Sequence, residues 1–600
     1  MKQPDLMPDY KANLPRTGHN LSHDLAFTTS CGYLSPVFHD FLNPGETVTL
    51  GVDFKVRTQP LEAAAMSKLK VHTEYFFVPF SMLYQPFDAW YYGISDQYSS
   101  SFATANLGRL PTVDLQAAAS TIWTNRNVQL PYGETKGRSF YRLMELFGFQ
   151  MGTGFQFFVG SGNTLRLFPY QLFAYQCIYQ KYYRLDTREQ YHQAWYNMDQ
   201  FYNSGTILST IVSDGAFMHL RPLGSDYFTD IKVSPIVDVL NLSNKNFLDV
   251  AKQWLTRSSL DGEYVFANGS LGSSLGIGDG SISPFDSITP NTDVVTQFGF
   301  NRVALNDTDT GNVSFANGLD IGTANIRAMF ASEKLWSVTG RAKKNYDAQT
   351  LAHFGFEVPH DVKHEISCFG HDINEIFIGE VISTSNTASG GSGSPLGEIA
   401  GKGYGASQGP NRHKFTAPCH GVVMAIYSIV PEEYYDPTFA KFNKLSTRDD
   451  LYTPEYDHLG MQPLFGYECD PTLAAADSNE IVGWQYRYEQ WKRRWNRCTS
   501  IFDGSVNGSL ASWFHTIKPY FEPANASDVG SANTESYQYF YHRPNELNDL
   551  FLYQFSGSWS SAYDTNLPAI YEGDPFVVAA HIDCVKVSTM SDYSLPRLDA

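Results

Sequence analysis

Residues 46–58, ETVTLGVDFKVRT, put Val48, Leu50, Val52, Phe54 and Val56 at every second position, with Thr47, Thr49, Gly51, Asp53 and Lys55 between them. A period of two marks a strand with one face buried and the other in water. A second run, 68–79, KLKVHTEYFFVP, starts the same way, with Leu69, Val71 and Thr73 against Lys70, His72 and Glu74. It then turns apolar on both faces at Tyr75, Phe76, Phe77 and Val78, as in a strand that passes under other structure. Pro79 has no N–H to give and stops the ladder. The pair predicts two long neighbouring strands of a β-sandwich or jelly roll, joined by 60–67, with the rest of the chain attached to or inserted into that sheet.

The remaining elements fit a mainly β chain. Residues 421–430, GVVMAIYSIV, predict a buried strand closed by Pro431, and 575–588, PFVVAAHIDCVKVS, the last strand. First and last strands so far apart imply non-local pairing, as in an eight-stranded jelly roll. Residues 375–385 read as another strand. Residues 167–184 predict a helix with Pro169 in its first turn and an aromatic stripe of Leu172, Tyr175, Tyr179 and Tyr182, which favours packing over a ligand site. At 600 residues the chain is either three or four domains or one barrel with long insertions. We divide it into an N-terminal arm and lead-in loop (1–45), a first part of the jelly roll with helical insertions (46–236), a surface insertion (237–322) and the remainder of the jelly roll (323–600). The insertion is rich in Gly, Ser, Asn, Asp and Thr, with one helix expected near 244–256. Helices are also expected from Thr323 and over 346–353, the latter ending at Gly355, and a flexible Gly/Ser loop over 386–409.

Composition narrows the function. Aromatic residues make up 15% of the chain and charged ones only 18%, against an average of about 25% charged. Many tyrosines and few charges suit broad dry contacts with other chains, although Tyr and Phe also simply favour strands. A net charge of −19 argues against nucleic acid coating the whole surface but leaves room for one basic face. The seven cysteines are scattered, with no CxxC, so no disulfide framework is visible. MKQPDLMPDYK has no apolar h-region, and no apolar run is long enough to span a bilayer. The expectation is a soluble protein made in a cytoplasm, not a membrane protein.

Few motifs carry chemistry. His360, Asp361, His364, Glu365, Cys368 and His371 are the right residue types for zinc, but no HExxH is present, and a polar strand and turn explains them as well. The run 306–312, NDTDTGN, resembles a calcium loop in composition only and reads as a surface turn. There is no P-loop, GxSxG or GxGxxG. We assign no catalytic, cofactor or metal residue. One stretch, 484–497, WQYRYEQWKRRWNR, is both basic and aromatic. Trp484, Tyr488, Trp491 and Trp495 recur at four, three and four, which predicts one face of a helix ringed by Arg487, Lys492, Arg493, Arg494 and Arg497. Arginines on phosphates and aromatics on bases would bind a single strand of nucleic acid. A packed amphipathic helix with a solvated basic side would look the same.

Taken in order, a set of short motifs resembles one family. These are Asn20-Leu21-Ser22-His23-Asp24, Gly32-Tyr33-Leu34-Ser35-Pro36 and Pro44-Gly45-Glu46-Thr47, then Arg57-Thr58-Gln59-Pro60-Leu61 leading into 74–79. Ala174-Tyr175, Ile178 and Tyr182-Tyr183-Arg184 follow, then Asp226-Tyr227-Phe228-Thr229. Beyond the insertion come Asn325-Ile326-Arg327, His353-Phe354-Gly355, Glu380-Val381-Ile382, Pro454-Glu455-Tyr456, Arg487-Tyr488-Glu489 and Leu595-Pro596-Arg597-Leu598. Their order over nearly the whole chain is similar to that of the major capsid protein of microviruses, on the gokushovirus-like branch. One departure is Ser234-Pro235-Ile236, where the family usually has a Pro-Gln step.

The resemblance implies a viral jelly roll with large loop and helix insertions. It implies a T=1 icosahedral shell, a homo-oligomer of 60 copies around single-stranded DNA. Implied partners are a small basic DNA-binding protein, a minor or pilot protein, a transient internal scaffolding protein and a bacterial surface receptor. Implied localisation is the virion, assembled in the bacterial host cytoplasm. Joined to the charge pattern, it places Lys2, Lys11, Arg16 and the 484–497 residues against the genome. It places 237–322 outside at threefold axes as a host-attachment protrusion, with Tyr264, Phe266, Val294, Val295, Phe298 and Phe300 packing between three copies. The competing expectation is a β-rich carbohydrate-binding protein or enzyme with a Tyr-lined groove.

Overall fold

The computed structural model describes residues 15–59, 61, 66, 68–84, 87, 91, 112–128, 130, 135–150, 166–185, 217–232, 334–335, 338–339, 351–355, 365–382, 399–407, 411–436, 438–446, 450–457, 460–473, 478–503, 510, 513–517, 519, 540–544 and 574–590. The chain divides into two compact units, Met1–Pro235 with Ala342–Ala600, and Ile236–Arg341. All strands below belong to the first unit. The expected helix at 244–256, the 306–312 run and the six apolar insertion residues lie outside the described residues.

Five strands come early: β1 (Thr17–Asn20), β2 (His23–Thr29), β3 (Ser35–Leu42), β4 (Thr47–Thr58) and β5 (Leu69–Pro79). Two short ones, β6 (Val113–Asp114) and β7 (Arg166–Leu167), pair with each other. Then come β8 (Ser367–Ile382), β9 (Ile399–Ala406), β10 (His413–Thr416), β11 (Gly421–Pro431) and β12 (Tyr434–Tyr435). The last are β13 (Met461–Phe465), β14 (Ile481–Tyr486), β15 (Thr516–Ile517) and β16 (Phe576–Ser588). One antiparallel sheet runs β1-β16-β4-β9-β8-β5-β11-β3, with β10 also on β4 and β2 also on β16. The final strand thus lies beside one of the first, Phe576 opposite Thr58 and Val587 opposite Thr47.

The two long early strands are not ladder neighbours, contrary to the expectation from their spacing: β9 and β8 lie between them along the sheet. The sixteen-residue β8 explains this, since its first part pairs with β5 and its second with β9. It carries the sheet round a corner, so the β4/β16 half folds over the β5/β11 half. Val48, Leu50, Val52, Phe54 and Val56 of β4 share one core with Val71, Tyr75, Phe77, Val423 and Tyr427. Phe54 and Tyr427 meet edge to face at 5.6 Å, and the Val52 N–H donates to the Tyr75 hydroxyl at 3.1 Å. The two strands therefore face each other across the core of a jelly roll.

The other face of β5/β11 is also covered. Phe76, Val78, Val422, Met424 and Ile426 join a second core with the helices Leu115–Thr124, Lys136–Leu146 and Tyr170–Ile178. Hence every residue of β11 is buried, and hence the alternation in β5 stops at Tyr75. The Asp114 carboxylate caps the first of these helices, accepting from the N–H groups of Gln116 and Ala117. The last helix continues as a π-helical turn, Tyr179–Tyr183. Its stripe residues Leu172, Tyr175 and Tyr179 are core, and the Tyr175 hydroxyl donates to the Leu34 carbonyl at 2.9 Å.

Three further expectations change. Residues 17–42, placed in an arm and lead-in loop, carry β1, β2 and β3; β1 and β2 both pair with β16. The strand expected at 375–385 begins at Ser367. Part of the Gly/Ser loop is strand β9, where glycine is required for close approach: a Cβ on Gly403 would stand 2.5 Å from Thr58 Cγ2, and one on Gly405 2.8 Å from Ile376 Cγ1. The turn at Asn43-Pro44-Gly45 holds as expected, with Gly45 at φ +77° and the Glu46 N–H on the Asn43 carbonyl. Gly355 ends its helix at φ +65°. Among the described residues no helix is long and apolar enough to cross a membrane.

Candidate nucleic-acid interface

The 484–497 segment is not one helix. Trp484 lies in β14, which pairs with β13. Tyr488 then takes a left-handed conformation, φ 62°, and only Glu489–Lys492 form a helical turn. A non-glycine residue at positive φ breaks the helical phase, so the four aromatics do not share a face. They are divided between core and surface.

Tyr488 is buried: its N–H donates to Gln462 Oε1 at 2.9 Å and its hydroxyl accepts from the Thr453 N–H. Trp495 packs on Tyr227 and Phe228, with ring centroids 4.7 and 5.0 Å away, and donates from Nε1 to Thr438. Trp484 is half-buried and bonded through its backbone to Lys232. Trp491 alone turns outward, 49% exposed, its ring edge-on to Phe442 at 4.8 Å.

The cations divide in the same way. Arg493 is a clamp, on Glu489 at 2.6 Å and Asp230 at 2.9 Å. Lys492 lies 3.6 Å from Asp457. Arg494 is exposed, with its guanidinium 4.8 Å above the Phe442 ring. Arg487 lies over Tyr488 and Tyr456, at 5.2 and 5.7 Å. Arg497 is exposed, next to the backbone bridge to Tyr435. Among the described residues no ion pair occupies Arg487, Arg494 or Arg497, which leaves them able to meet phosphate.

The structure adds residues that the sequence did not single out. The 3₁₀ turn Lys441–Lys444 supplies Phe442, and Lys444 Nζ stands 3.9 Å above the Tyr467 ring. Lys441 lies over Phe465 and 3.7 Å from Glu468. Burial lowers the Lys441 pKa despite that carboxylate, and burial raises that of Glu468, which also accepts from the Tyr227 hydroxyl at 2.6 Å. These buried groups fix the floor under the exposed cations and rings. The alternation of lysine and aromatic in KFNK was the available signal. Arg16 is exposed beside the Gly45 turn, while Lys2 and Lys11 lie outside the described residues.

Exposed cations stacked on aromatic rings can hold a nucleic-acid backbone while a ring takes a base face. Residues 10–124 match the sequence family described as capsid protein (F protein). The chain is also similar to the capsid protein VP1 of Chlamydia phage 1, 22% identical over 552 residues, covering 84% of this chain and 87% of that protein. Neither likeness supports a carbohydrate-binding or enzymatic alternative. The ordered motifs, the curled β-sandwich and both likenesses agree on a structural major capsid protein of a small phage, similar to the capsid proteins of the gokushovirus-like microviruses.

Proposed function

We propose that this capsid protein closes into a T=1 icosahedral shell of 60 copies around single-stranded DNA, with the Trp491 patch lining the inside. The supporting observation is the outward Trp491 beside Arg494 stacked on Phe442, in a chain whose net charge of −19 otherwise repels DNA. Such a patch binds locally and without sequence preference. It leaves most of the genome charge to a separate small basic protein, and it gives the chain no catalytic step. Lys2, Lys11 and Arg16 extend the same inner surface. Ultraviolet cross-linking of packaged DNA, followed by peptide mapping, tests the assignment. Adducts at 441–444 and 487–497 are expected; adducts confined to other peptides overturn it.

We further propose that 237–322 forms a threefold protrusion for a bacterial receptor, held by Tyr264, Phe266, Val294, Val295, Phe298 and Phe300. Each such side chain buried between copies is worth about 1.5–3 kcal/mol, and three weak contacts acting together raise avidity. With 258–318 replaced by a short Gly/Ser linker, shells should form but fail to adsorb to cells. Normal infection would remove the receptor role, and loss of all particles would make the segment structural. An internal scaffolding protein, a pilot protein, assembly in the host cytoplasm and residence in the virion complete the proposal.

A further inference from the structure

His371 is the one described histidine of the 360–371 cluster, and β8 brings it to a place the sequence did not connect. Glu74 of β5 lies directly opposite His371, and His72 lies two residues back on the same strand. Residues two apart share a sheet face, so the three side chains converge there. His72 Nδ1 and His371 Nε2 are 3.1 Å apart, and His371 Nε2 is 3.6 Å from Glu74 Oε1. The donor atoms of all three lie within 4.8 Å of one another.

We propose that His72, Glu74 and His371 form a Zn²⁺ site that clamps β5 to β8. Two nitrogens on one tetrahedral zinc, at about 2.0–2.1 Å each, stand roughly 3.3 Å apart. The observed pair needs only a few tenths of an ångström of movement. One ring's N–H faces the other ring's bare nitrogen across this contact; when the ion takes that place, the donor ring carries its proton on its other nitrogen, so both rings ligate as neutral imidazoles. Glu74 is already oriented for this. Arg221 bonds its carboxylate through both terminal nitrogens, at 2.8 and 3.0 Å, and the Tyr183 hydroxyl donates to Oε2. Partners of this kind hold a ligating carboxylate in place. His371 is partly open to solvent, which leaves a fourth position for water. Two imidazoles with one carboxylate suit zinc. The single carboxylate and the adjacent Arg221 charge disfavour Ca²⁺ and Mg²⁺, which need several oxygens.

The test uses the full chain, stripped with a chelator and titrated with ZnCl₂ in a calorimeter. Co²⁺ serves as a second probe, read by its visible tetrahedral absorption. One zinc per chain is expected, with no matching heat from CaCl₂. His371→Ala, at a partly exposed strand position, should keep the fold by circular dichroism and weaken zinc binding at least about 100-fold. It should also abolish the cobalt bands. His72→Ala should do the same where it folds, and His23→Ala should leave both signals intact. Absence of stoichiometric zinc, or equal binding by the parent and His371→Ala, overturns the site.

Discussion

β11 and β16 are both long strands of one sheet, yet their surroundings differ. Every residue of β11 is buried, whereas β16 alternates, with Phe576, Val578, Ala580 and Ile582 inside and Val577, Ala579 and His581 outside. The difference comes from the third layer. Helices cover the outer face of β5/β11, while the outer face of β16 carries exposed side chains. One hydrogen-bonded frame therefore supports a three-layer half and a half whose β16 leaves one face exposed.

The comparison breaks most directly at Ile426, which points from β11 into the helical layer and is 1% exposed. Ile426→Asp places a carboxylate in a dry site and should destabilise by on the order of 4 kcal/mol or more. Loss of soluble folded protein is the expected result. Val577→Asp, on the free face of β16, should fold normally; equal damage from both would erase the distinction.

Truncation should show the same asymmetry with smaller numbers. Ile426→Ala is expected to cost about 2–5 kcal/mol. Val577→Ala should stay within about 0.5 kcal/mol, measured by urea unfolding.

Acid should act through two buried histidines. His515 and His542 are fully buried, and burial lowers their pKa values, to about 4 and about 3, from the ordinary 6.5. The charge of Arg221 depresses His542 further. In the unfolded chain both histidines take up protons near pH 6.5, so between there and about pH 4 the unfolded state binds more protons. Stability is then full above pH 6.5 and falls as the pH drops through that window. On the exposed face of β16, His581 and Asp24 form a pair that water screens. Urea midpoints from pH 7 to pH 4 should fall, and His542→Gln should flatten the fall.

Close approach gives the smallest effect. A Cβ on Gly421 of β11 would stand 2.6 Å from the Val78 carbonyl oxygen, a backbone atom that cannot swing away. Gly421→Ala should cost about 1–3 kcal/mol. Gly18 of β1 has open space at that position, and Gly18→Ala should be neutral in the same unfolding measurement.

The same physics explains what could be read from the chain. Strands β4, β5, β11 and β16 were legible because their burial is written in alternation or in unbroken apolar runs. Even the third layer was visible, in the loss of alternation at Tyr75–Val78. The pairing order was not, because the turn of the sheet depends on β8 and β9, and β9 is kept by glycines that record a neighbour's closeness instead of a period. The candidate interface was half legible. Trp491 and Arg494 stood out as basic and aromatic, but helical spacing misled, since the left-handed Tyr488 puts Trp495 inside and Trp491 outside. Phe442 and Tyr467 come from other stretches, and only folding brings them beside Arg494 and Lys444.

The central claim is that this sandwich closes into a shell with its Trp491 patch inward, and an electron-microscopy map of particles purified with their genome tests it directly. The account predicts closed shells with the β4/β16 and β5/β11 halves in every position, and with density for nucleic acid against Trp491, Phe442 and Arg494. Monodisperse monomers in place of shells, or a shell carrying Trp491 and Arg494 on its outer surface, would contradict it.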